Sequence, residues 1–142
     1  MIKFGTYTLY KGYFLRLVKK EDVFTLIFDG TECPFTNFIK YAENVYVLNL
    51  KKEEVLNALF IRTKCIYKGY EFDLTALNDN KYGIVTESKE AYEQLNLEYR
   101  DRGVYQLEVE LDELEKIWEI RERSTYDLPL PEGIELYHEI LN

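Results

Sequence analysis

His138 is the single imidazole of this chain, and Cys33 and Cys65 are its two thiols. A general base needs a positioned partner beside a substrate cleft. His138 lies among the last five residues, and Glu139 is next to it in sequence, which fixes no geometry. A Cys–His nucleophile would have to draw on the same histidine, and neither cysteine sits in a catalytic motif. Two cysteines and one histidine cannot alone complete a Cys/His zinc site. Both thiols read as small buried apolar groups, reduced in a chain without an export signal. Gly12, Gly30, Gly69, Gly83 and Gly103 are scattered singly and form no phosphate-cradling loop. Asp79-Asn80 lacks the glycine and terminal glutamate of a calcium loop, and a hairpin tip explains it better. The expectation is a protein with no catalytic residue, no metal and no cofactor.

Carboxylates are the remaining chemistry. Pairs such as Glu108/Glu110 can hydrolyse glycosides only when a cleft holds them about 5–10 Å apart. On a strand those two side chains share one face, with Leu107 and Val109 on the other, which is the pattern of a solvated sheet. The charge is uneven. Residues 1–86 hold 12 Lys/Arg against 10 Asp/Glu, residues 87–122 hold 5 against 12, and residues 123–142 hold 1 against 4, for a net −8. Such dilution of cations disfavours nucleic acid, whose phosphates need clustered Lys and Arg. An acidic segment suits a basic partner, attracted over a Debye length of roughly 8–10 Å. The candidate partner-binding residues are Glu93, Glu98, Asp101, Glu108, Glu110, Asp112, Glu113 and Glu115, with Tyr92 and Tyr99 as aromatic anchors.

The elements that must position these residues are mainly strands. At 142 residues the chain has the length of one domain, 1–142, with 13 Tyr and 8 Phe suited to half-buried strand positions. No apolar run reaches the length of a signal peptide or a membrane helix, which places the protein in the cytoplasm and off the membrane. Alternation and turn residues predict strands at Phe4–Tyr10, Tyr13–Val18, Val23–Phe28, Val45–Leu50, Leu59–Tyr67, Tyr70–Leu74, Tyr82–Thr86 and Val104–Val109. Ser88 to Leu95 is helical with Ser88 as cap. Glu98 to Gly103 reads as an exposed charged loop, and Ile134 to Leu141 as a short strand or helix.

An internal repeat organises the rest. Val45-Tyr46-Val47-Leu48-Asn49-Leu50 aligns without a gap on Val104-Tyr105-Gln106-Leu107-Glu108-Val109, and the same offset sets Glu54-Val55 on Glu113-Leu114 and Ile61-Arg62 on Ile120-Arg121. Tyr10-Lys11-Gly12-Tyr13 matches Tyr67-Lys68-Gly69-Tyr70. These matches predict an α+β, predominantly antiparallel β fold, a tandem repeat of strand–short helix–strand–hairpin units over 10–66 and 67–126 with a closing segment 127–142. They also predict short helices at 51–56 and 110–116, then a strand through Trp118–Arg121. A continuous helix over 112–123 is the rival.

The Tyr67-Lys68-Gly69-Tyr70-Glu71-Phe72 run, with Leu114-Glu115-Lys116-Ile117-Trp118-Glu119-Ile120-Arg121, resembles the immunity proteins of polymorphic and contact-dependent bacterial toxins of the wall-associated protein A type. That resemblance implies a non-enzymatic cytoplasmic protein that neutralises a cognate basic toxin, possible nucleases included, through a protein–protein surface. The alternative is a structural or adaptor β-module that forms homo-oligomers through its sheet edges.

Overall fold

Period-two alternation puts most of this chain into antiparallel strands. The computed structural model describes residues 2–78 and 80–141. Two compact units emerge. The N-terminal unit takes Gly5–Phe60 and Glu122–Ile134, and the C-terminal unit takes the chain through Phe4, Ile61–Arg121 and the segment from Glu135 on.

In the N-terminal unit, strands β1 (Phe4–Tyr10), β2 (Tyr13–Lys20), β3 (Val23–Asp29), β4 (Ile39–Ala42) and β5 (Val45–Lys51) lie side by side in the order β4-β5-β3-β2-β1. One sheet face carries Leu15, Leu17, Phe24 and Leu26 into a core closed by Phe35, Phe38 and Leu128 from the non-sheet segments. Asn57 laces that core to β1. Its side-chain oxygen accepts from Leu9 N at 2.8 Å and from the Thr8 hydroxyl at 3.0 Å, and its amide donates to Leu9 O at 3.2 Å.

The C-terminal unit holds β6 (Leu59–Tyr67), β7 (Tyr70–Ala76), β8 (Tyr82–Thr86), helix α1 (Lys89–Leu95), β9 (Glu98–Asp101), β10 (Val104–Val109), β11 (Lys116–Glu122) and β12 (Tyr137–Leu141). Its order is β6-β7-β8-β10-β9, with β11 paired to β6 and β12. Cys65, Phe72, Leu74, Ile84, Val109 and Ile117 form its core, and Ala91 of α1 packs into it. Ser88 caps α1 by accepting from Ala91 N at 3.1 Å.

The same local chemistry recurs in both units. Lys11-Gly12 and Lys68-Gly69 turn their hairpins with positive φ at both residues, 48° and 84° in one, 48° and 85° in the other. Two positive φ values match the twist of the flanking strands, and glycine takes the second at no steric cost. After β5 and β10 the chain makes a single 3-10 turn, Lys52–Glu54 and Leu111–Glu113. In each, a glutamate closes the turn: Glu54 accepts from Lys51 N at 2.9 Å and Glu113 from Glu110 N at 2.7 Å. Val55 and Leu114 then enter the two cores.

Several expectations need correction. The helices expected at 51–56 and 110–116 are three-residue 3-10 turns, because an apolar side chain must reach the core directly after each. The expected strand Trp118–Arg121 lies within β11, which satisfies its backbone through β6 and β12 and excludes the rival continuous helix over 112–123. Glu98–Asp101, expected as a loop, is an edge strand: pairing with β10 satisfies its backbone while every side chain stays in water. β4 was not foreseen and has the same character. Of Asn78-Asp79-Asn80, Asp79 lies outside the described residues, and Leu77 N donating to Lys81 O at 2.7 Å closes the hairpin around it. Cys65 is buried as expected, whereas Cys33 is only half-buried.

A buried ion pair fastens the C-terminal segment. Arg121 reaches Glu119 at 2.9 Å, donates to Glu135 O at 3.0 Å, and its backbone N donates to Leu136 O at 2.9 Å. Both charged side chains are under 10% exposed, so removing one partner strands the other in a poorly solvated place. Arg121→Met is expected to cost about 3 kcal/mol in urea unfolding. A loss below about 1 kcal/mol would mean that Lys3, 3.8 Å from Glu119, suffices to hold the carboxylate.

Candidate functional site

Helix α1 and the core occupy one face of the C-terminal sheet, so alternation sends a second set of side chains to the opposite, open face. On β10, Tyr105, Leu107 and Val109 turn to the core, and Gln106 and Glu108 turn away. Register then places Glu98 of β9 and Val85 of β8 beside Gln106, and Asp73 and Lys64 in line beyond Val85. Gly83 stands opposite Glu108 and Thr75, and its missing side chain leaves room for Leu77 to pack over it. A Cβ at Gly83 would press on Leu77 at 3.3 Å.

Two hollows share Val85 on this face. One, of about 470 Å³, is bordered by Arg62, Lys64, Glu71, Asp73 and Glu87. The other, of about 260 Å³, is bordered by Thr75, Gly83, Glu98, Arg100 and Glu108. In the first, Lys64 binds Asp73 at 2.8 Å and Glu71 at 3.5 Å, and Arg62 lies 3.8 Å from Asp73. Burial opposes the charge on Lys64, but the Asp73 and Glu71 carboxylates outweigh it and hold its pKa above the usual value. In the second, Glu108 has Lys81 at 4.0 Å, a loose surface contact worth little.

The ten expected partner-binding residues fall in three places. Glu98 and Glu108 share the open face and the smaller hollow. Tyr92 and Tyr99 meet on the helix side through Tyr105: Tyr92 stacks on it with centroids 4.2 Å apart, and Tyr99 approaches edge-on at 5.9 Å. Glu93 and Asp101, exposed on α1 and β9, accompany them in sequence. Glu110, Asp112, Glu113 and Glu115 gather at the 3-10 turn. Two of these four are engaged in holding the chain: Glu113 closes the turn, and Glu115 accepts from Gly69 N at 3.0 Å. The open face also contains Glu87, from the acidic segment 87–122, and Glu71 and Asp73, which lie outside that segment. The alternation Arg62-Thr63-Lys64 and Glu71-Phe72-Asp73, charge at every second position, was the signal for them.

A family model described as uncharacterised conserved protein UCP033725 matches residues 2–125. The chain belongs to that family. The match runs through β11 and ends before β12. No curated protein and no solved structure matches the chain.

The nucleophile candidates now have environments. His138 is exposed on β12, opposite Glu119 in the strand register. Burial, with the nearby Asp73 charge, pushes the Cys65 thiol up to about 12, so it stays protonated and unreactive at neutral pH. Half-buried Cys33 contacts Phe35 O at 3.6 Å. In the native protein a thiol reagent at about pH 8 is expected to modify Cys33 first and to reach Cys65 only on unfolding. Equal rates at both thiols would contradict this environment for Cys65.

Proposed function

We propose that this chain is a cytoplasmic, non-enzymatic binding protein that neutralises a cognate basic toxin by protein–protein contact through its C-terminal unit. The observation that carries the reading is the charge of that unit: 16 Asp/Glu against 10 Lys/Arg, compared with 10 against 8 in the N-terminal unit. Glu98 and Glu108, exposed on one face around a shared hollow, offer anions to a cationic side chain without spending a structural bond. The immunity-protein resemblance supplies the toxin as the class of partner, and an acidic protein is poorly suited to nucleic acid.

The chain is further read as a tandem duplication of one unit. Supporting it are the common strand order, the paired Lys-Gly turns and the two glutamate-closed 3-10 turns at corresponding places. Divergence of the two copies would leave one to meet the toxin and free the other for a second task.

Self-association through sheet edges is the second reading. Outer strands β4, β9 and β12 have every side chain exposed, which invites strand addition, yet each pairs with its neighbour through a register break. Such irregularities blunt edges against pairing.

Binding of the adjacent gene's product by surface plasmon resonance tests the toxin reading. Glu98→Lys with Glu108→Lys is expected to slow association about tenfold and to flatten its salt dependence, with unfolding unchanged. Unchanged association would move the contact away from this face. An adjacent product that is no toxin and does not bind would remove the reading's basis.

A further inference from the structure

The second face of the N-terminal strands sets valine and isoleucine among charged and polar side chains, while the core segments of the unit pack on the other face. The segments around Phe35, Phe38 and Leu128 all pack on the core side. Across the opposite face the register forms rows. Lys20, Val23 and Lys51 make the first, and Val18, Thr25 and Asn49 the second. Arg16, Ile27, Val47 and Ile39 make the third, and Asp29 with Val45 the last. Val18 is 40% exposed, Val23 46% and Ile39 72%. The corresponding face of the C-terminal unit carries Lys64, Asp73, Glu98 and Glu108, which is how a face that stays in water is built. Exposed valine and isoleucine set between charged ends are what a weak protein–protein contact uses.

We infer that this face is a dimer interface and that its occupant is the same face of a second copy of the chain. The charges at its two ends select that partner. Lysines flank Val23 at one end of β3 and a carboxylate, Asp29, stands at the other. Among the described residues, none of Lys20, Lys51 and Asp29 has an ion-pair partner within the chain. A twofold axis in the plane of the sheet, perpendicular to the strands, lays β3 antiparallel over its counterpart. Asp29 then faces Val23 of the second copy, between Lys20 and Lys51, at both ends of the interface. The apolar rows meet in the middle, Ile27 against Thr25 and Val47 against Asn49. Stacked sheets cross at about −30°, which leaves the central strand and these end contacts in register. The parallel arrangement would set lysine on lysine. Such an interface is isologous and closes at two copies.

Four strands about 4.8 Å apart and four rows about 6.8 Å apart cover a footprint of about 400 Å² on each copy, below the range of stable complexes and of the size of a weak, transient contact. Dimerisation should therefore depend on concentration across the micromolar range. Sedimentation equilibrium is expected to show the mass rising with concentration from 17.0 kDa towards twice that value. Ile39→Glu, at an exposed edge position, and Val47→Glu should each hold the chain at 17.0 kDa while circular dichroism stays native. Lys20→Glu with Lys51→Glu should weaken association, and adding Asp29→Lys should restore it. A monomer throughout the range overturns the inference, as does a dimer indifferent to Ile39→Glu and Val47→Glu. Capture of a different protein on this face by a chain that alone stays monomeric overturns it as well. Each outcome is independent of whether the C-terminal unit binds a toxin.

Discussion

Leu15, Leu17, Phe24 and Leu26 point one way from adjacent strands, and so do Cys65, Phe72, Leu74 and Ile84 in the other unit. Burying such side chains stabilises the fold by about 1.5–3 kcal/mol each. Because successive residues of a strand face opposite sides, this burial fixes the register, and the register fixes which residues stand on the open faces. The hollows around Val85 and the rows around Ile27 are thus consequences of where the core residues fall.

The turns keep that arrangement from slipping. Two positive φ values at Lys11-Gly12 and at Lys68-Gly69 set the pairing of Tyr10 with Tyr13 and of Tyr67 with Tyr70. Glu54 and Glu113 satisfy backbone N–H groups where β5 and β10 end, so the next apolar residue drops into the core at a fixed point. Glu115 then joins the end of one such turn to the Gly69 hairpin. Several of the chain's carboxylates are therefore structural, and those left exposed, such as Glu98 and Glu108, are the ones available to a partner.

That is where sequence reasoning ran short. Strands such as Leu59–Tyr67, Tyr82–Thr86 and Val104–Val109 were legible to the residue, because period two with β-branched and aromatic side chains leaves little choice. β4 and β9 were not, since Ile39–Ala42 and Glu98–Asp101 bury no side chain and owe their form to a neighbour's backbone. A run of acidic residues in sequence gave one expected surface, but alternation and turns divide it between the open face, the helix side and the 3-10 turn. Conversely, Lys64, Glu71 and Asp73 converge from strands whose local sequence looks merely amphipathic.

The two open faces differ in kind: charged side chains dominate one, and the other sets valine and isoleucine between charged ends. We propose that each face meets a different partner: a basic toxin on the C-terminal sheet, a second copy of the chain on the N-terminal one. Amide hydrogen exchange of the chain, alone and with the adjacent gene's product, tests that division most directly. The product is expected to add protection to β8, β9 and β10 and to leave β2, β3 and β5 as they were. Added protection confined to β2, β3 and β5 would contradict that division.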